Sequence, residues 1–242
     1  MGTFLEQPVC RLVSSRKGAY AHWFGGTPTH SGVIPPGREH PVHLLYDLDL
    51  TDPMLGLSSR FPAVSRLPLY NPLQYNCCDM IYRVLRDDAI EIVRLTNPDN
   101  PDWYADHPYD AYPSAFPRTP VTAEHVPPSL IERCAGALES DGTGGFEAKE
   151  AALEDACLFP RVGGRHFMWQ GIPHWECPTQ SCPHFGKYGD VGKEVLAVIW
   201  ERPIPALHLW DDDPEDQHMG SIQIIFSRCT GCGVLHSCNR CD

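Results

Sequence analysis

The sequence predicts a strand-rich α+β protein, and three observations carry that reading. Its 24 prolines and 20 glycines are spread along 242 residues, which favours many short elements and frequent turns over long helices. Several short apolar runs have the length of strands. Two segments near the middle of the chain instead carry signals of short helices.

Residues 42–50, VHLLYDLDL, begin as an apolar run and then alternate Asp with Leu, as a strand does when it leaves the core. Residues 67–75, 79–85 and 89–95 read as three further strands. The last two are separated by Arg86-Asp87-Asp88, a turn sequence, and the three together predict a meander. Between residues 96 and 120 come Pro98, Pro101, Pro108, Pro113, Pro117 and Pro120, so a long loop or linker is expected there. Ser129, after Pro127-Pro128, caps a helix expected over 130–138, which Asp141-Gly142-Thr143-Gly144-Gly145 ends; a second short helix is expected over 147–156. Residues 166–170, 194–201 and 221–228 again read as strands, and Val195 to Trp200 are apolar enough to be buried on both faces.

A weak internal echo accompanies these elements. Gly25-Gly26-Thr27-Pro28 precedes the apolar strand at 43–46, and Gly163-Gly164-Arg165 precedes the one at 195–200. The expected organisation is an N-terminal β-rich half over 1–120, a helical connector over 121–157 and a C-terminal β-rich half over 158–242 within one compact unit. Gly-Gly pairs are common in a loop-rich chain, and it is the family resemblance given below that implies two pseudo-repeated halves.

Nineteen Lys and Arg against 31 Asp and Glu give a net charge of −12. Such a chain repels nucleic-acid backbones and anionic membranes and attracts basic proteins, so neither nucleic acid nor membrane is expected as a partner. No apolar stretch approaches the ~20 residues that span a bilayer, and Met1 to Glu6 lack the basic and apolar regions of a secretory signal. Eleven cysteines, an odd number, with close spacings fit reduced thiols better than a disulfide framework. The expectation is a cytoplasmic protein.

Six of those 11 cysteines fall after residue 176 as three close pairs: Cys177 with Cys182, Cys229 with Cys232, and Cys238 with Cys241. A four-thiolate zinc site needs two short hooks, each presenting two sulfurs to one point, with turn amides donating to sulfur. Cys229-Thr230-Gly231-Cys232-Gly233 is such a hook, its glycines allowing the positive φ of these turns. Cys177 and Cys182 form a looser one, stiffened by Pro178 and Pro183. Joining Cys229/Cys232 to Cys238/Cys241 requires a very tight return through residues 233–237, whereas joining Cys177/Cys182 to Cys229/Cys232 staples the start of one core strand to the end of another. The second pairing is preferred, giving Zn²⁺ held by Cys177, Cys182, Cys229 and Cys232, with Cys238 and Cys241 as alternates. His184 or His236 could replace one thiolate, and the plain alternative is buried thiols with no metal. Four thiolates would close the coordination sphere, and a closed site holds a fold together rather than catalysing.

The enzymatic alternative is a zinc-dependent deaminase or hydrolase with an open site. His174-Trp175-Glu176 matches H-x-E, and Cys229 with Cys232 supplies the C-x-x-C that would complete it. Arg228 stands where that signature has proline, and His174 follows Pro173 among turn formers. H-E-x-x-H, G-x-S-x-G, P-loop and G-x-G-x-x-G patterns are absent from the sequence. His40-Pro41-Val42-His43 reads as a surface feature. The run Asp211-Asp212-Asp213-Pro214-Glu215-Asp216 lacks the glycine and the bidentate Glu of a calcium loop and reads as a solvated acidic segment or part of a client-binding face. Cys10, Cys77, Cys78, Cys134 and Cys157 read as small core residues.

From residue 158 onward the chain resembles the bacterial YwqG family and, more distantly, the C-terminal portion of the eukaryotic programmed-cell-death-2 proteins. The residues that carry the resemblance are Val162-Gly163-Gly164, Trp169-Gln170, Pro173, the Cys177/Cys182 hook, the strand Leu196 to Ile199, and Ile222-Gln223-Ile224-Ile225-Phe226 leading into Cys229-Thr230-Gly231-Cys232-Gly233. The first half resembles the family's first pseudo-repeat more weakly and lacks the paired hooks. The resemblance implies a non-catalytic, zinc-stabilised protein-binding module, chaperone-like or immunity-like, that holds a basic protein client. The extra Cys238/Cys241 pair departs from the family's pattern.

Overall fold

The structure, a computed structural model, describes residues 9–15, 18–75, 79–95, 113–127, 129–130, 159–164, 175–189, 191–200 and 223–240. Among them run eleven strands: β1 (Val9–Ser14), β2 (His22–Phe24), β3 (His43–Asp49), β4 (Arg66–Asn71), β5 (Met80–Arg86), β6 (Ala89–Leu95), β7 (Thr119–His125), β8 (Arg161–Gly163), β9 (Lys193–Trp200), β10 (Gln223–Cys229) and β11 (Leu235–Arg240). All belong to one sheet in the order β4-β3-β2-β7-β1-β8-β9-β10-β11-β5-β6, and its ladder pairs are antiparallel.

The α+β expectation is therefore corrected to an all-β protein. Among the described residues no helix reaches seven residues, and the short 3-10 turns Pro53–Leu55, Ser58–Arg60 and Leu73–Tyr75 serve as connections. Ser129 and Leu130, where the first expected helix begins, are helical; residues 131–138 and the second expected helix lie outside the described residues. Among the described residues the strand-length apolar runs, punctuated by Pro and Gly, decide the class.

The expected meander is also corrected. β5 and β6 do form a hairpin, turning at Asp87-Asp88, but β4 pairs with β3, and β5 pairs with β11. β7 occupies the end of the expected proline-rich loop and straddles the expected boundary at residue 120. Sheet order has a two-fold pattern around the central pair β7–β1. β2, β3 and β4 run outward on one side, β8, β9 and β10 on the other, and each half's first strand sits beside the second strand of the other half. Both Gly-Gly pairs fall at corresponding places, directly after β2 and at the end of β8, with φ of 67° and 108° at Gly25 and Gly26 and 83° and 77° at Gly163 and Gly164.

Right-handed twist curls a sheet this wide, and here the curl brings β4, at one edge, against β5 and β11 near the other. The buried Tyr82 hydroxyl on β5 donates to Pro68 O (3.1 Å) and accepts from the Tyr70 amide (3.2 Å), both on β4. Asn71 Nδ2 donates to Ser237 Oγ of β11 at 2.6 Å. Pro68 fits because β4 is an edge strand, where a missing amide donor costs no ladder bond. The Asp87 carboxylate, in the β5–β6 turn, closes the same seam by accepting from the Ser65 amide (2.7 Å), the Ser65 hydroxyl (2.7 Å) and the Arg66 amide (3.2 Å). Leu12, Leu44, Leu48, Leu67, Leu69, Ile199, Ile224 and Phe226 belong to the main core inside the curl. A second, smaller cluster contains Ile81, Trp175, Cys177, Cys182, Cys229 and Val234, and it marks the place where residues 175–189 pack on the sheet.

Candidate metal centre

Cys229 ends β10, and the chain turns at once: Gly233 N donates to Cys229 O (2.8 Å) and Cys229 N to Val234 O (2.9 Å), with Gly233 at φ 76°. That turn sends Cys232 back beside Cys229. The other hook is a compact knot in which Cys182 N donates to Thr179 O (2.9 Å), Phe185 N to Cys182 O (3.0 Å) and Gly186 N to Cys177 O (3.2 Å). Lys193, first residue of β9, fastens this knot to the sheet. Its ammonium donates to the carbonyls of Trp175, Lys187 (3.1 Å) and Gly189 (2.5 Å) and lies 4.8 Å from the centre of the Trp175 ring.

The two hooks meet. Cys177 Sγ lies 3.5 Å from Cys232 Sγ, Cys182 Sγ lies 3.5 Å from Cys229 Sγ, and all four sulfurs fall within 4.8 Å of one another. A tetrahedral ion with metal–sulfur bonds of about 2.3 Å sets its sulfurs about 3.8 Å apart, so the spacing fits a four-thiolate cage. Cys177, Cys182 and Cys229 are buried and Cys232 is half-buried.

Each sulfur faces the amide two residues further on, Thr179 for Cys177, His184 for Cys182 (3.4 Å), Gly231 for Cys229 and Val234 for Cys232, and Cys229 faces the Cys232 amide more strongly still. This repeated pattern gives both hooks the amide-to-sulfur donation that stabilises thiolates around a cation. Burial pushes the Cys177 thiol up to about 12, against the Thr179 amide and reinforced by the neighbouring sulfurs. Burial also raises Cys229. Cys232 is the exception: burial opposes ionisation there too, but the Thr179 hydroxyl, the Val234 amide and the adjacent Cys177 and Cys229 thiols bring it down to about 7. Thr179 Oγ1 accepts from Arg83 (2.7 Å) and lies 3.5 Å from Cys232 Sγ, so a guanidinium on β5 acts on the cage through one hydroxyl.

The structure brings together the preferred ligands Cys177, Cys182, Cys229 and Cys232 and sets the alternates elsewhere. Cys238 is on β11 with its sulfur toward Ile225 O (3.9 Å), and Cys241 lies outside the described residues. The His184 ring is wedged between Gly192 and Gly231, with Nε2 3.3 Å from Thr230 Oγ1, and His236 belongs to a different group of side chains. Of the open-site alternative, His174 lies outside the described residues, Glu176 is exposed, and Cys229 and Cys232 stand with the other two thiols. The acidic run at 211–216, with Cys77, Cys78, Cys134 and Cys157, is also outside the described residues; Cys10 is a buried core residue.

Sequence reasoning missed Thr179, Arg83 and Lys193, and it read Gly231 as a positive-φ turn residue, whereas the positive φ belongs to Gly233 and Gly231 is needed for space. Gly231 has no room for a side chain, since a Cβ there would lie 2.8 Å from Cys182 Sγ and 2.9 Å from the His184 ring. Thr179, Arg83 and Lys193 act across distances in sequence that no spacing rule reveals.

No family model matches the chain, and neither a curated protein nor a solved structure was found to be similar to it. Among the described residues no helix is long and apolar enough to cross a membrane.

Proposed function

We propose that the chain is a non-catalytic protein-binding module, chaperone-like or immunity-like, in which Zn²⁺ on Cys177, Cys182, Cys229 and Cys232 fixes the binding loop and the acidic body attracts a basic client. The observation that carries this reading is the donor set: four thiolates at tetrahedral spacing use every position of a zinc ion, leaving none for water or substrate. Zinc suits it because thiolates select borderline and soft ions, and zinc accepts tetrahedral sulfur without a redox change. The resemblance to the YwqG family points the same way, as does the net charge of −12.

The stapled loop supplies a contact surface. Phe185, Tyr188 and Val191 are 49%, 61% and 54% exposed, and apolar side chains gathered on one rigid loop are a feature of interaction sites rather than of scattered surface residues. Charge would steer a basic client toward the protein, and the aromatic side chains would hold it.

Affinity capture from lysate at low and high salt tests the reading. Proteins retained at low salt should be enriched in basic ones, be released as salt rises, and be lost with a Phe185→Ser/Tyr188→Ser double variant that keeps its metal. Retention with no basic bias, or no retention at low ionic strength, would sink the proposal.

A further inference from the structure

Donors that take no part in the four-thiolate cage gather at another point of the sheet. We infer that Asp79, His236 and Cys238 form a second metal site for a divalent transition ion of zinc's class. His236 and Cys238 are two residues apart on β11, so their side chains leave the same face. β11 pairs with β5 through Leu235 and Tyr82, His236 and Ile81, and Ser237 and Met80; one further step of that register sets Asp79 opposite Cys238. Two neighbouring strands thus deliver an imidazole, a thiol and a carboxylate to one point. Their ligand atoms lie within 4.8 Å of one another, and His236 Nε2 is 3.4 Å from Asp79 Oδ2.

The surroundings suit a cation. His236 and Cys238 are fully buried, while the Asp79 side chain is 18% exposed, so solvent reaches the group on its carboxylate side. Trp175 stacks on the His236 ring at 5.1 Å and 18°, which holds the imidazole plane. Bringing a carboxylate, an imidazole and a thiol together in a core is costly, and a shared ion offsets the cost. One sulfur, one nitrogen and one oxygen donor select against calcium and magnesium, which want oxygen alone, and favour zinc or cobalt. Three protein donors leave the ion one position for a further ligand.

The site is independent of the four-thiolate reading, and cadmium NMR with native mass spectrometry on the full chain separates the two. Cadmium-loaded wild type should hold two ions and give two resonances, one strongly deshielded as four thiolates require and one well upfield of it. Asp79→Asn should remove the upfield resonance and one ion while leaving the other intact; Cys177→Ser should do the reverse. A wild-type protein with one ion and one resonance, or an Asp79→Asn protein that still holds two ions, would overturn the inference. Asp79 is part-exposed, so this variant avoids emptying the core; should it fail to fold, the wild-type spectrum decides alone.

Discussion

A hydrogen is the largest substituent the metal centre admits at residue 231. The Cβ of an alanine there would meet the Cys182 sulfur at 2.8 Å, and that sulfur cannot retreat without leaving its ion. Gly231→Ala is therefore expected to weaken metal binding by at least about 10-fold, the scale on which misplaced ligands and their supports are felt, measured by competition with a chromophoric chelator; an unchanged affinity would mean the hooks do not share an ion. Thr179→Val tests the relay from Arg83. The hydroxyl that acts on Cys232 is lost while volume is kept, and affinity should fall about 10-fold or more with the sulfur-to-metal absorption of a cobalt-loaded sample retained in form. At this scale the cysteine spacings were legible because a hook is a local turn. The close approach at Gly231 and the relay through Thr179 and Arg83 were not, because they exist only once another stretch of chain is alongside.

The strands were legible where burial imposes a pattern and hidden where pairing decides. β3, His43–Asp49, follows the run-then-alternate reading of residues 42–50, its Asp47 turned to Arg66 at 2.8 Å and its Leu48 fully buried. β9 and β10 appear where continuous apolar runs placed them. β7 went unread because Pro117 and Pro120 mark a loop locally, yet Pro120 lies opposite Trp23 in a ladder. The meander failed since sequence adjacency favours neighbouring strands, whereas the curl gives β4 and β5 hydrogen bonds through side chains instead of a ladder. Tyr82 is central to that seam. Tyr82→Phe would strand the Tyr70 amide and the Pro68 carbonyl inside the core, at a cost of about 1–3 kcal/mol, read from the urea midpoint. Asp87 closes the exposed end of the same seam. The Ser65 hydroxyl, against a small burial penalty and aided by the Ser65 and Arg66 amides and the Arg66 charge, holds its carboxyl below the usual carboxylate range. A depressed folded value means the stabilisation is present above the unfolded value and fades as pH falls through the folded one. Wild type should exceed Asp87→Ala by about 1 kcal/mol at pH 7, an exposed group being well screened, and the gap should close as pH drops below about 4.

Across the whole molecule, the candidate metal centre lies on one side of a sheet whose strand order is two-fold around β7 and β1. The four-thiolate centre ties residues 175–189 to the start of β9 and the end of β10, and the corresponding strands on the other side, β3 and β4, carry no cysteine hooks. Stripping the ion with a strong chelator should lower the unfolding temperature by about 10 °C or more, since a few kcal/mol of metal-linked stability translates to that shift in a chain of this size. Hydrogen exchange should rise first in the stapled knot and the ends of β9 and β10. The acidic balance that suggested a basic client is a property of the whole sequence, with the run Asp211 to Asp216 contributing five carboxylates to it.

Native mass spectrometry of single and paired cysteine variants tests the central claim most directly. Cys177→Ser, Cys182→Ser, Cys229→Ser and Cys232→Ser should each cost the protein the same single ion, and Cys177→Ser with Cys229→Ser should cost no more than one. Retention of the full metal complement in any of the four, or loss of two ions when both hooks are broken, would contradict an ion shared between them.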